Sequence, residues 1–497
     1  MALISKILPV NNKPTINTYA DLSYVNAILE ASDVLKVEVL DWKSKDWEFC
    51  NASGLFETEN GFFIQDSFDD KNIEGILLNN NKNEDKVIIH IDYYRQLENT
   101  SYIDLFYIDS DLNNEKLTYA ITNYGFYKEG KLFKYTKKYT WFKIQKREGK
   151  LSFYASENGL QWDSVFLEDN LFSYKNDNGS FGIKYSLGSR QLMAWNSMNY
   201  LQLCLDLNDV HGERWLNYYM FPKKSYDYLY GIYNYFFDVQ YFRYDEICNI
   251  YGTIDNFIKI NICMGDYILM SLDEYYIPER HSYNQEHYEH DNMIYGYDSE
   301  NYYVLGYNQK TVSSTFPIDR LKISCCKERK IIRYRLATNE YKFQFDLQAF
   351  LTTLREFIDG IDSSKRYSNI LSQRKATYGL EVFQVLLKSN QGIELLMTDQ
   401  RITYLLKEHC ELMYRRLKYL ISAGYIRNKS SSDFLLKKCQ EMVKQATELF
   451  FMLLKYKVSG RGKDNILPKM QKLYEYEKLF YQNLYEELST IQNKSVQ

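Results

Sequence analysis

The chain has 497 residues, too many for a single hydrophobic core, and about three domains are expected. Hydrophobic residues make up 45% and charged residues 25%, with six prolines and 22 glycines, which excludes a collagen-like or largely disordered chain. The net charge of −4 gives no general attraction to a phosphate backbone, so nucleic acid is not expected as a partner. The one basic run, Lys327-Glu-Arg-Lys330, reads as a solvated turn.

No stretch approaches the 18 apolar residues of a membrane span, so no membrane partner is expected. Residues 1–14 lack the apolar core of a signal peptide. The eight cysteines, at 50, 204, 248, 263, 325, 326, 410 and 439, form no Cys-x-x-Cys pair. They fit reduced thiols in a cytoplasm better than a zinc site, and no metal or cofactor is expected. The 48 tyrosines accompany abundant Asn, Lys and Ile and read as a compositional habit.

Residues 1–34 form an N-terminal segment with no assigned role. Residues 35–203 read as an antiparallel β-sandwich. Val87-Ile-Ile-His-Ile-Asp, Leu117-Thr-Tyr-Ala-Ile-Thr and Trp141-Phe-Lys-Ile-Gln-Lys are short β-rich runs, and Glu148-Gly149 and Asn158-Gly159 are turn signals. All six tryptophans, at 42, 47, 141, 162, 195 and 215, lie before residue 216, which marks a boundary near 200. Trp141 and Trp162 are expected in the core, and Asp66, Asp69 and Asp70 lack the spacing of a calcium loop.

Residues 204–345 mix helix and strand. A helix is expected around 213–220, with Asn208 or Asp209 as its cap. Strands are expected at Tyr267-Ile-Leu-Met-Ser-Leu, Asn292-Met-Ile-Tyr-Gly-Tyr and Tyr302-Tyr-Val-Leu-Gly-Tyr. Residues 346–497 carry apolar residues at spacings of three and four around 349–358, 402–421, 434–456 and 470–491, the pattern of a helical bundle. Ser431-Ser-Asp433 is the expected N-cap of the third of these helices, and the glycines after Lys455-Tyr-Lys end it.

The chemistry concentrates around His290. A strand ends in Asp273-Glu274, a loop rich in Tyr and His follows, and His290 opens a strand that turns at 296–301 into another. That hairpin would put Asn308 beside His290, as an orienting group sits beside a base in Cys-His-Asn chemistry. His281, His287 and His290 are close in sequence, but loop proximity alone does not make convergent zinc ligands. His90 and His409 read as ordinary residues of the sandwich and the bundle.

Two resemblances follow from these residues. Tyr154, Ser156, Asn158, Gly159 and Trp162 match the Tyr-x-Ser-x-Asp/Asn-Gly-x-x-Trp signature of concanavalin-like jelly-roll domains. That resemblance implies a jelly roll with a carbohydrate or protein partner. Asp273, Tyr275, Tyr276, His290, Gly296, Tyr297 and Asp298 resemble the papain-like domain of the butirosin-biosynthesis acyltransferase, of the bacteriocin-leader-peptidase type. It implies acyl transfer or peptide processing on a peptide or carrier-protein-bound acyl substrate in a specialised-metabolite pathway.

In that reading His290 is the base, Asn308 its orienter and Cys204 the nucleophile. Asp273, Tyr275, Tyr276 and His211 line the substrate. The family's nucleophilic Cys opens its first helix, and Val210 occupies the expected position here. Cys204 lies in an apolar, strand-like run and Cys263 reads as structural. The competing expectation is therefore a catalytically inactive papain-like scaffold that binds the same intermediate. A third is an oligomer built on the apolar faces around Phe450-Phe-Met452 and Leu479-Phe480. The expected whole is a multidomain α+β protein: sandwich, papain-like α/β domain, helical bundle.

Overall fold

The computed structural model describes residues 5–11, 23–32, 35–50, 55–64, 73–81, 84–93, 102–108, 119–122, 125–128, 131–135, 137, 139–148, 150–165, 172–173, 179–187, 201–207, 215–217, 236–307, 311–336, 345–363 and 376–495. The chain is mixed α+β and divides into two units, one of residues 30–190 and one of residues 1–29 together with 191–497. No described helix is long and apolar enough to cross a membrane.

In the 30–190 unit two antiparallel sheets share one core. One runs, in spatial order, Asp163–Ser164, Lys150–Ser156, Trp141–Arg147, Lys86–Tyr93, Leu35–Val39, Gly61–Ile64 and Leu55–Thr58, with Phe172–Ser173 also on Lys150–Ser156. The other runs Lys131–Lys134, Gly125–Lys128, Tyr119–Thr122, Tyr102–Ile108, Ser180–Leu187, Ile73–Asn79 and Trp47–Cys50. Side chains alternate between faces with period two. Phe142, Ile144, Leu151 and Phe153 therefore meet Leu105, Ile121, Phe181 and Ile183 from the other sheet.

The same alternation corrects the expectation for two tryptophans. Trp141 is one residue out of phase with Phe142, so it lies on the outer face, paired across strands with His90. Its ring stacks on that imidazole at 4.3 Å. Trp162 also stands outside the core cluster, with the Lys143 ammonium 4.4 Å from its ring. The signature residues build the turn between them. The Ser156 hydroxyl accepts from Gly159 N at 3.0 Å, and the Asn158 carbonyl oxygen accepts from Leu160 N at 2.9 Å. Gly159 takes φ +74, and a Cβ there would come within 2.9 Å of the Trp141 ring.

In the second unit the main sheet runs Phe237–Phe242, Ile331–Leu336, Asp266–Asp273, Glu289–Tyr297, Asn301–Tyr307 and Thr311–Pro317, every pair antiparallel. Helices Tyr244–Tyr251 and Ile254–Cys263 precede the central strand. The N-terminal segment joins this sheet. Lys6–Ile7 pairs with Tyr297 and Gly296, where the strand Asp266–Asp273 no longer runs alongside. The helix Ser23–Ser32 reaches the other end of the same strand, as the Tyr24 hydroxyl donates to the Asp291 carbonyl.

The expected helix around 213–220 is not there, because Trp215–Asn217 is a strand. It pairs with Cys204–Asp206, which pairs in turn with Thr377–Tyr378. Pairing with Cys204–Asp206 is a tertiary contact that overrides local helix preference. The bundle consists of Leu347–Asp359, Glu381–Lys388, Asn390–Thr398, Gln400–Ser422, Lys429–Ser459 and Ile466–Ser495. Asp346, Ser389 and Asp399 cap three of these helices by accepting from backbone N–H groups. Asn428, not the Ser431 segment, caps Lys429–Ser459, so that helix starts about one turn earlier than expected.

The bundle core is partly polar. His409 is fully buried. Its Nε2–H donates to the Leu201 carbonyl at 2.9 Å, and its Nδ1 accepts from Tyr481 Oη at 3.4 Å. Burial, helped by the charge of Arg416, depresses its pKa to about 3. The Cys410 thiol donates to Glu477 Oε1 at 3.4 Å, and burial raises the Glu477 carboxyl to about 8.

These two groups act in opposite directions. His409 contributes stability that is full above its ordinary 6.5 and is lost as pH falls toward 3. Glu477 contributes stability that is full below its ordinary 4.5 and is lost as pH rises through 8. Glu477→Gln keeps an oxygen for Cys410 but removes the titration. Relative to wild type, its unfolding midpoint should rise between pH 5 and pH 8, by on the order of a few kcal/mol of stability. Thermal melts of both proteins across that range check this, and parallel curves would contradict a protonated, buried Glu477.

Candidate functional site

The hairpin register builds the site. Leu272 pairs with His290 and Asp273 with Glu289, so the backbone of Glu274 meets Tyr288, whose carbonyl accepts from Glu274 N at 2.8 Å. His290 is then the diagonal neighbour of Glu274 on one face of the sheet, close enough for long side chains to touch. Its Nδ1 lies 3.3 Å from Glu274 Oε1. The Glu274 side chain is 5% exposed and that of His290 33% exposed, so the carboxylate is sunk and the imidazole is at the surface.

A buried carboxylate needs a partner charge. Arg280 provides it from a side chain that is 0% exposed, with Nε 3.5 Å from the same Glu274 Oε1. The rest of its guanidinium is also engaged. Nη1 donates to the Val312 carbonyl at 3.2 Å and Nη2 to Asn292 Oδ1 at 3.0 Å. Asn292 Nδ2 donates to the His290 carbonyl at 3.0 Å, which closes the circuit on the His290 strand.

Around this core stands an aromatic rim. Asp273 Oδ1 accepts from Tyr275 N and Tyr288 N, both at 3.1 Å, which fixes the tight turn Glu274–Tyr276. Its Oδ2 lies 2.6 Å from His287 Nδ1, and the His287 ring stacks on Tyr275 at 4.5 Å. Tyr276 packs edge-on against Tyr275, and Tyr288 stacks on His290 at 5.7 Å. Tyr283 and Tyr288 are exposed.

Thiols also reach the edge of the site. Leu272, the partner of His290 on one side, bridges Cys325 on the other, and Cys326 N donates to the Ser271 carbonyl at 3.1 Å. Burial pushes the Cys325 thiol up to about 12, outweighing the opposing pull of Lys327. Burial pushes Cys326 up to about 11, and Glu289 and Asp273 add to the effect. Reactive cysteines show the reverse shift.

Of the residues singled out from sequence, the structure brings together His290, Asp273, Tyr275 and Tyr276. Cys204 lies buried in the separate three-stranded sheet, opposite Asn217 and Tyr378. His211, Asn308 and Val210 lie outside the described residues. Cys263 contacts Tyr297 Oη at 3.0 Å on the helix that precedes the central strand. Sequence reasoning missed Glu274, Arg280 and Asn292. Among the described residues no group of three His, Cys, Asp or Glu side chains is arranged to hold a metal ion.

No protein-family model matches the chain, and no curated protein matches it.

Gly306 tests the packing of this site. A Cβ there would stand 2.2 Å from Arg280 Nη2 and 2.5 Å from Asn292 Oδ1, and both groups are buried and tied. Gly306→Ala should therefore cost about 1–3 kcal/mol, read as a lower denaturation midpoint. An unchanged midpoint would mean that the guanidinium does not pack against this strand.

Proposed function

We propose that this chain is a binding module on a papain-like fold, with His290 at a cleft that takes a peptide or a carrier-protein-bound acyl intermediate without covalent attachment. One observation carries the reading. The imidazole is held by a buried carboxylate, while the neighbouring thiols Cys325 and Cys326 are pushed away from the thiolate form. A nucleophilic cysteine needs a lowered pKa, from a cation or a helix N-terminus. The exposed rings of Tyr283 and Tyr288 offer apolar faces with polar edges, suited to holding a flexible ligand.

A second reading is favoured by the Glu274–His290 contact itself. A carboxylate on Nδ1 is the orienting relation of acyl-transfer catalysis. In that reading His290 is a base for a thiol or an acceptor group brought to it, and Cys204, buried in the separate three-stranded sheet, does not supply that thiol. For the 30–190 unit we infer a concanavalin-like jelly roll, supported by the turn at 156–162, with a carbohydrate or protein partner on the outer aromatic face.

Treating the folded protein with an electrophilic acyl mimic at neutral pH and weighing it intact separates the two. The binding reading expects slow, unselective cysteine labelling that His290→Ala leaves unchanged. One fast adduct that disappears in His290→Ala would replace it with covalent acyl transfer.

A further inference from the structure

We infer that the Asp273–His287 pair supplies a general base to the proposed cleft, with His287 Nε2 taking a proton from the N–H or O–H group of an acyl acceptor. The Asp273 carboxylate is tied through both oxygens. Oδ1 accepts from Tyr275 N and Tyr288 N, both at 3.1 Å, and Oδ2 is hydrogen-bonded to His287 Nδ1 at 2.6 Å. A carboxylate oxygen accepts, so Nδ1 brings the proton and Nε2 of the neutral ring keeps its lone pair. Stacking fixes the plane of the ring, which lies 4.5 Å from Tyr275 with 23° between the two rings.

The two members differ in exposure as a base and its orienter do. The Asp273 side chain is 15% exposed and that of His287 67% exposed. Among the described residues Asp273, Tyr275 and Tyr276 face the imidazole, and no hydrogen bond engages Nε2. The loop that carries His287 is itself anchored. Asn284 N donates to the Tyr275 carbonyl at 3.0 Å, and Arg280 donates to the Val312 carbonyl and to Asn292 Oδ1. The Glu274–His290 contact at 3.3 Å is not a hydrogen bond, so His287 is the better oriented of these two imidazoles.

The inference rests on the reading of the cleft as one that holds an acyl intermediate, here a thioester, and it needs no nucleophile from the protein. The acceptor nitrogen or oxygen bonds to the thioester carbonyl carbon while its proton passes to His287 Nε2. The C–S bond then breaks, and the imidazolium returns that proton to the leaving thiolate.

Two measurements on the full-length protein test this. The chain has six histidines, and long-range proton–nitrogen NMR of histidine-labelled protein reads the tautomer of each. Hydrolysis of p-nitrophenyl acetate, with water as the acceptor, reads the base. In wild type the neutral His287 should carry its proton on Nδ1. Asp273→Asn keeps an oxygen for the two backbone N–H groups but turns an amide N–H toward the ring. His287 should then switch to the Nε2–H form, and ester hydrolysis should fall by about tenfold or more. His287→Ala should fall at least as far.

A wild-type His287 protonated on Nε2 overturns the inference. So does a wild type that cleaves the ester no faster than His287→Ala, or an Asp273→Asn protein as fast as wild type. If Asp273→Asn does not fold, the wild-type tautomer and His287→Ala decide. Cysteine labelling reads a different group, so a fast cysteine adduct would sink the binding reading without touching this result, and the reverse holds as well.

Discussion

The site depends on one oxygen. Glu274 Oε1 lies within ion-pair distance of both Arg280 and His290, and nearly the whole carboxylate is out of water. Such an arrangement is weak evidence for stability, because an apolar replacement of the whole set is often as stable. Removing a single member is a different matter, since it strands a buried charge at a cost of about 3–5 kcal/mol. A buried charge circuit that ends on an imidazole one third exposed is therefore a candidate site rather than a source of stability.

The strand topology makes the circuit affordable. Glu289–Tyr297 pairs with Asp266–Asp273 up to Ile294 and with Lys6–Ile7 at Gly296 and Tyr297, and from Met293 onward it pairs with Asn301–Tyr307 on the other side. The N-terminal segment thus does more than lead into the 30–190 unit. It completes the ladder at Gly296 and Tyr297, and its helix ties the Asp291 carbonyl through Tyr24. At His290 itself the strand is paired to Leu272, and that register brings the Glu274 and His290 side chains to 3.3 Å.

Much of this was legible in the sequence, and the failures have physical causes. Strands around 267–272, 292–297 and 302–307 and the long helices after 346 are strongly periodic, and they occur where the pattern put them. Glu274 was within reach of inference. Once the hairpin register pairs Leu272 with His290, residue 274 falls diagonally beside it. Arg280 was not, because it lies in a loop without periodicity and its burial depends on the missing Cβ of Gly306, a residue on another strand. The expected helix near 213 failed because Trp215–Asn217 is paired by residues 204–206, a contact that local propensity does not encode. Trp141 was expected in the core because it accompanies the jelly-roll signature, but the phase of its strand gives the inner face to Phe142 and Ile144.

The thiols fit the same electrostatic logic. A site lined by Asp273, Glu274 and Glu289 has little positive charge to spare, and Arg280, its buried cation, is committed to Glu274 and Asn292. Lys327 does act on Cys325, yet burial outweighs it, and for Cys326 the carboxylates reinforce burial. Stabilising a thiolate here would take either a second cation or the one that holds Glu274. The first is opposed by desolvation, and the second would release the carboxylate that holds His290. The surroundings of the imidazole are therefore ones that keep these two sulfurs protonated.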